Sequence, residues 1–207
     1  MGKRVKIVLG VVLFVGLVGV VRWQALQPFE PTYAGRKLTS WISVYWDTNA
    51  YDIMLFRTSE TDKADKAVSQ IGTNAIPTLL RLLRAQDSAL KIKLMDLVQR
   101  QHIINIKYTP AEQWNQVARR GFWILGTNAQ TAVPELIAIV DKTTSPPSRK
   151  NAILTLAFSG SRAKEALPSL FRWATNADTT LQIPARFAIL RIDREAAAKA
   201  GITNSTP

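Results

Sequence analysis

Chemistry that needs a thiol or a set of imidazoles is closed to this chain, and the residues left to consider are its charged, hydroxyl and aromatic side chains. There is no cysteine, and His102 is the only histidine in 207 residues. That excludes disulfides, thiolate metal sites and cysteine nucleophiles, and it leaves no imidazole set for a triad or a histidine-rich metal centre. His102, beside Ile103 and Ile104, reads as a surface or helix-end residue. Asp62 and Asp65 form an acidic pair near the start of a helix, where the helix dipole accounts for them before any acid–base role does. No catalytic, cofactor-binding or metal-ligating set is expected, and the chain reads as a non-enzyme.

The residues with most to offer a partner are Arg81, Arg84, Arg172 and Trp173, with Arg119 as an outlier. Arginine and tryptophan are favoured interface anchors, and a guanidinium fork suits a carboxylate partner. Their spacing is regular. Arg81, Ala138 and Arg172 stand four residues after Pro77, Pro134 and Pro168; Thr78, Glu135 and Ser169 stand one after; Arg84, Asp141 and Thr175 stand seven after. If the helices that begin at these prolines line one face, equal offsets form a ladder open to an acidic protein. The competing reading is ordinary solvation, and Trp173 occupies a place that Leu82 and Ile139 mark as core. Arg119 and Arg120 diverge by about 100° on a helix and do not share a face.

The elements that carry these residues are set by a repeat. Four marker positions, Gly72, Gly126, Gly160 and Asp193, bring the copies into register. Eight residues before them stand Ala64, Ala118, Ala152 and Ala185; four before stand Val68, Phe122, Leu156 and Ile189; one before stand Ile71, Leu125, Ser159 and Ile192. Alanine in every copy suits close helix approach, and the apolar positions three apart lie on one helix face. After each glycine comes a short polar turn and then a second helix, opening Pro77-Thr78-Leu79-Leu80, Pro134-Glu135-Leu136-Ile137 or Pro168-Ser169-Leu170-Phe171. Proline is tolerated there, and glycine ends the first helix by taking positive φ. The alanines step by 54, 34 and 33 residues. The long first step is filled by a further amphipathic helix from Ser88 to Ile104, with Leu90, Leu94, Leu97 and Val98 on its apolar side and Asp87 as its cap. Thr109-Pro110-Ala111-Glu112 then opens the next helix as a capping box. Asp193 to Gly201 is a shortened terminal copy, and residues 203–207 form a fraying tail.

Ahead of the array, Ile7 to Leu26 contains only Arg22 and Gln24 as strongly polar residues, long enough as a helix to span a hydrocarbon core of about 30 Å. Lys3, Arg4 and Lys6 precede it, so residues 1–26 read as an uncleaved signal anchor with a cytoplasmic amino terminus and an exported domain, periplasmic or otherwise extracytoplasmic. A cleaved signal peptide and a buried core helix are the weaker alternatives. Residues 27–37, with Pro28, Pro31 and Gly35, read as an extended linker. Residues 38–58 read as an amino-terminal cap region, its tryptophans packing on the open end of the array, and residues 59–202 are the array itself.

The Ala…Leu-Gly…Ala-Val-Pro-x-Leu pattern and its period resemble HEAT-type repeats, particularly the short HEAT-like variety of phycobilisome-lyase type proteins. Tyr33-Ala34-Gly35-Arg36-Lys37-Leu38-Thr39-Ser40-Trp41 after a membrane segment resembles the start of bacterial membrane-anchored HEAT-repeat proteins. The resemblance implies an all-α solenoid of helical hairpins behind one transmembrane helix, and a curved, non-catalytic scaffold that binds another protein. It carries over no catalytic residue and no cofactor. Two other readings stay open: an enzyme or accessory acting on a small acidic or envelope-derived ligand, and a binder of anionic surfaces. The charge of 27 Lys and Arg against 15 Asp and Glu, or +12, permits the latter, with Lys91, Lys93 and Arg100 as further basic points. Nucleic acid is disfavoured, since Glu135 and Asp141 break the basic stripe and export would remove the substrate.

Overall fold

The computed structural model describes residues 29–47, 58–100 and 108–203. The expected anchor at residues 1–26, the second half of the cap region, His102 and most of the terminal tail lie outside that set. Among the described residues no helix is long and apolar enough to cross a membrane.

The described chain is all-α apart from one small hairpin. In order it forms β1 (Thr32–Tyr33), β2 (Arg36–Lys37), α1 (Leu38–Ile42), a 3-10 turn (Ser43–Asp47), α2 (Ser59–Ile71), α3 (Ile76–Leu83) and α4 (Ala89–Arg100). It continues with α5 (Ala111–Leu125), α6 (Val133–Lys142), α7 (Pro146–Phe158), α8 (Leu167–Ala174), α9 (Thr179–Ile192) and α10 (Arg194–Lys199).

The repeat frame is realised as the core. Ala64, Ala118, Ala152 and Ala185 are fully buried, as are Val68, Leu156 and Ile189, with Phe122 only 1% exposed. These residues lie on α2, α5, α7 and α9, which pack in series, each on the next. Gly72, Gly126 and Gly160 sit at the ends of α2, α5 and α7 with φ of +61°, +54° and +56°. With ψ of −140° and −127°, Gly72 and Gly126 occupy a region that a Cβ would strain. A short 3-10 turn follows each glycine, and Pro77, Pro134 and Pro168 fall in the first turn of α3, α6 and α8.

Each of these second helices packs on the first helix of the following copy: α3 on α5, α6 on α7, α8 on α9. A recurring polar device fixes those contacts. Eleven residues before the markers Gly126, Gly160 and Asp193 stand Asn115, Arg149 and Gln182. Asn115 Nδ2 donates to the carbonyls of Leu82, Leu83 and Ala85 at 2.9, 3.0 and 3.2 Å. Arg149 Nε donates to the Val140 carbonyl at 2.9 Å, and its Nη2 to that of Thr143. Gln182 Nε2 donates to the Asn176 carbonyl. Thus in each of these three copies one side chain donates to carbonyls at or just past the end of the preceding helix, where intrahelical donors run out. Ser148 Oγ adds a 2.5 Å bond to the Leu83 carbonyl. Where α5 crosses α3, a Cβ on Gly121 would lie 2.6 Å from Leu79 Cδ2, so a larger residue here would require the buried Leu79 side chain to shift.

Three local expectations need correction. Part of the expected linker is a hairpin: Thr32 pairs with Lys37 and Tyr33 with Arg36 across Ala34 and Gly35, both at positive φ. Trp41 holds it, donating from Nε1 to the Tyr33 carbonyl at 3.0 Å while the Arg36 guanidinium lies 4.0 Å from its ring centroid. The capping box at Thr109 does not form. Pro110 is the N-cap of α5 and gives no side-chain bond; instead Asp87 accepts from the Ala111 N–H at 2.7 Å. And α4, an amphipathic helix with no buried residue, is capped by Ser88 rather than Asp87: Ser88 Oγ accepts from the Lys91 N–H at 3.2 Å.

Candidate functional site

The cationic residues marked by the sequence meet quite different fates. Arg84, exposed on α3, pairs with Glu135 on α6, and Arg172 on α8 pairs with Asp141 on α6 at 2.5 Å, where Ser169 also donates at 3.0 Å. The ladder is therefore internally neutralised at two rungs: acids at one and seven residues past Pro134 take the cations of the helices on either side. Glu135 and Asp141, which interrupt the basic stripe in the sequence, are the residues that stitch neighbouring second helices together. Thr78, expected on the same ladder, is buried instead. A shallow groove of about 330 Å³ runs between α3 and α6, lined by Arg84, Gln86, Ala138 and Lys142 among others.

Trp173 is half-buried and packs on the core, as the core reading of its position anticipates. The Arg149 guanidinium lies 4.3 Å from its ring centroid, so one face of the indole is already occupied by a cation. Burial lowers the Arg149 pKa, and neighbouring Arg172 adds to that. Arg119 faces inward, donating from Nε to Asn151 Oδ1 on α7 at 2.9 Å. Burial, followed by the Arg120 charge beside it, lowers its pKa as well.

Arg81 differs from the other two ladder arginines, although Trp173 Nε1 and Arg186 Nε are likewise covered without a partner. Arg81 is half-buried, its Nε is covered without a hydrogen-bond partner, and no ion pair or hydrogen bond forms to it among the described residues. It lines a cleft of about 950 Å³ between the amino-terminal hairpin and the α3–α4 corner. Lys37, Lys91 and Arg81 supply three cations to that cleft against one acid, Glu30, a local balance of +2. Glu30 is engaged, accepting from the Thr39 N–H at 2.6 Å, and Lys91 is paired with Asp87 at 2.6 Å. Phe29 and Trp114 give the cleft apolar walls, and Trp114 is held edge-on by Trp46 with ring centroids 4.8 Å apart. The arrangement suits a carboxylate flanked by apolar surface. It offers no nucleophile–base pair, and among the described residues no group of His, Asp or Glu could hold a metal ion.

A second polar cluster was not singled out in the sequence. Arg120, 9% exposed, bonds Asp65 Oδ2 at 2.8 Å, and its guanidinium lies 4.1 and 5.4 Å from the ring centroids of Trp123 and Tyr45. The Tyr45 hydroxyl donates to Asp65 Oδ1. Burial first, then the hydrogen bond to Asp65, push the Tyr45 phenol far above its ordinary range. Asp65 is thus a structural partner for a buried arginine rather than a first-turn dipole residue. The frame gave no warning, since the counterparts of Arg120 in the other copies are Lys66, Leu154 and Phe187.

Comparison with family models, with curated proteins and with solved structures finds no match to this chain. The likeness to HEAT-type repeats therefore rests on the residues quoted for it.

Proposed function

We propose that the chain is a membrane-tethered, non-catalytic α-solenoid of HEAT-like hairpins whose exported array binds another protein, and that the binding centre is the cleft around Arg81. The observation that carries this reading is the contrast among the ladder arginines. Arg84 and Arg172 are held by Glu135 and Asp141, while Arg81 carries a buried, unpaired Nε beside a cationic cleft with aromatic walls. The covered Nε has no partner within the fold, and a carboxylate in the cleft would pair with the Arg81 guanidinium that borders it. The partner is accordingly a protein with an acidic segment that also carries apolar side chains.

The test is recovery of a partner from solubilised membranes with the full chain as bait. Arg81→Glu is expected to abolish recovery of a protein that Arg84→Glu and Arg172→Glu still retain. Equal recovery with all three variants would remove the cleft from the proposal. The cleft's volume favours a second reading, a small acidic ligand, because about 950 Å³ lies within the range of small-molecule sites. Under that reading the unaltered chain binds a small carboxylate in the absence of protein, and Arg81→Glu removes the binding.

A further inference from the structure

The face of α4 is a surface that the proposed cleft does not use. Leu90, Leu94 and Leu97 are 77%, 51% and 55% exposed, and among the described residues no other helix packs closely on α4. With about 100° per residue, Leu97, Leu90, Leu94 and Val98 fall within an arc of about 100°, while Ile92, 52% exposed, stands apart on the opposite side. Lys91 borders that arc on one side, and Lys93 and Arg100 on the other. The helix carries these three cations against Asp96 alone, a balance of +2; Arg100 is paired with Asp96 at 2.9 Å and Lys91 with Asp87 at 2.6 Å, both cations being exposed, and Lys93 forms no ion pair among the described residues. An exposed apolar strip edged by long cationic side chains matches a bilayer interface, where the strip enters the acyl boundary and the cations reach anionic head groups.

We infer that α4 lies on the surface of an anionic lipid bilayer and is a second membrane contact of this protein. The inference rests on the reading of residues 1–26 as a membrane anchor, and the fold ties the two together. Phe29, 88% exposed, lines the same cleft as Lys91 in the first turn of α4. Only Gln27 and Pro28 separate Leu26 from Phe29, and three extended residue steps span at most about 11 Å. An anchor ending at Leu26 would therefore keep Phe29, and the cleft it shares with Lys91, close to the membrane surface. A second copy of the chain is the poorer occupant. Two such helices face to face would oppose Lys91, Lys93 and Arg100 with the same cations, and the nearby Asp87 is already bound to Lys91 and to the Ala111 N–H.

The chain has no cysteine, so single cysteines can be introduced and labelled with an environment-sensitive fluorophore without background. The full chain is reconstituted into vesicles containing phosphatidylglycerol and lipids with nitroxide-bearing acyl chains. The probe at Leu94→Cys is expected to lose about half its emission or more, since an interfacial helix sinks its apolar face roughly 5–10 Å. The probe at Gln99→Cys, on the opposite side of the helix, keeps its emission. Lys93→Glu with Arg100→Glu restores the Leu94 signal, and far-ultraviolet circular dichroism checks that this variant stays folded. Lys91 is left alone because it also holds Asp87.

A probe at Val15→Cys reports the anchor separately. Quenching at Val15 without quenching at Leu94 overturns the α4 contact and leaves the anchor reading intact. Quenching at Leu94 without quenching at Val15 supports the contact and removes the anchor. Equal quenching at Leu94 and Gln99, or disulfide linkage between Leu94→Cys chains in place of quenching, overturns it, the last result assigning the face to a second copy.

Discussion

At the scale of single residues, the ion pairs of this molecule divide into two kinds that differ in energetic weight. Arg120 with Asp65 is enclosed, with side chains 9% and 17% exposed, and two aromatic rings close over the guanidinium. Arg84 with Glu135 is open, at 45% and 56%. Removing one partner of an enclosed pair strands a charge in a poorly solvated place, whereas an exposed pair exchanges its partner for water. Asp65→Asn is therefore expected to destabilise the fold by about 2 kcal/mol, somewhat below the range for a fully enclosed pair because water still reaches Asp65. Glu135→Gln should change stability by less than about 1 kcal/mol. Urea titrations of both variants measure the difference, and Arg120→Met added to Asp65→Asn should cost less than the two single changes summed. Strict additivity would mean that the pair is not energetically coupled. None of this cluster was legible in the sequence, because Arg120 has no cationic counterpart at an enclosed position of another copy. Arg119 gave a partial signal: it shares its frame position with Ile153, a fully buried residue, and it does turn inward.

At the scale of elements, apolar periodicity located the helices and glycine located their ends, since both are local requirements of backbone and burial. Two things escaped it. A periodic apolar face places a helix but does not say whether another element covers it, and the leucines of α4 stand exposed. Polar caps escaped too, because Asn115, Arg149 and Gln182 do one job with three side-chain types, so no identity repeats. Asn115→Ala removes donors to three carbonyls at the end of α3 and should cost about 1–3 kcal/mol, read from the urea midpoint at unchanged slope. Asp87 holds the start of α5 in a comparable way. Burial opposes its ionisation, but the Ala111 N–H and then Lys91 and Tyr108 outweigh that and hold its carboxyl below the usual aspartate value. A depressed carboxylate stabilises the fold above its unfolded pKa of about 3.9, and that contribution disappears as pH falls through the lower folded value. At neutral pH, Asp87→Asn should be less stable than the unaltered chain by about 1 kcal/mol. The two stability curves should converge as pH drops below about 4; parallel curves down to pH 2 would show that the Asp87 charge does not contribute.

At the scale of the whole molecule, stability should be graded along the packing order rather than uniform. α7 packs on α5, α6 and α9, carries Ser148 and Arg149 to the ends of α3 and α6, and buries Ala152, Ile153 and Leu156 completely. α4 lies at the other extreme, with no buried residue. Between them, α2 and α3 meet the rest of the array chiefly through α5, at the Asn115 cap, the Asp65–Arg120 pair and the Gly121 crossing. Local opening follows such differences in buried contact, so native-state hydrogen exchange should rank the elements. Amides of α7 should exchange only through global unfolding, and those of α4 through openings that cost close to nothing in detergent-free solution of the folded domain. α2 and α3 should fall between, and Gly121→Ala should lower their protection more than that of α7 and α9, because the added Cβ forces the buried Leu79 side chain of α3 to repack at its contact with α5. Equal loss of protection across α2, α3, α7 and α9 in that variant would mean that the first unit and the rest unfold as one body. Protection confined to α7 and α9 would instead mark the α3–α5 contact as the joint at which this array opens, next to the cleft that holds Arg81.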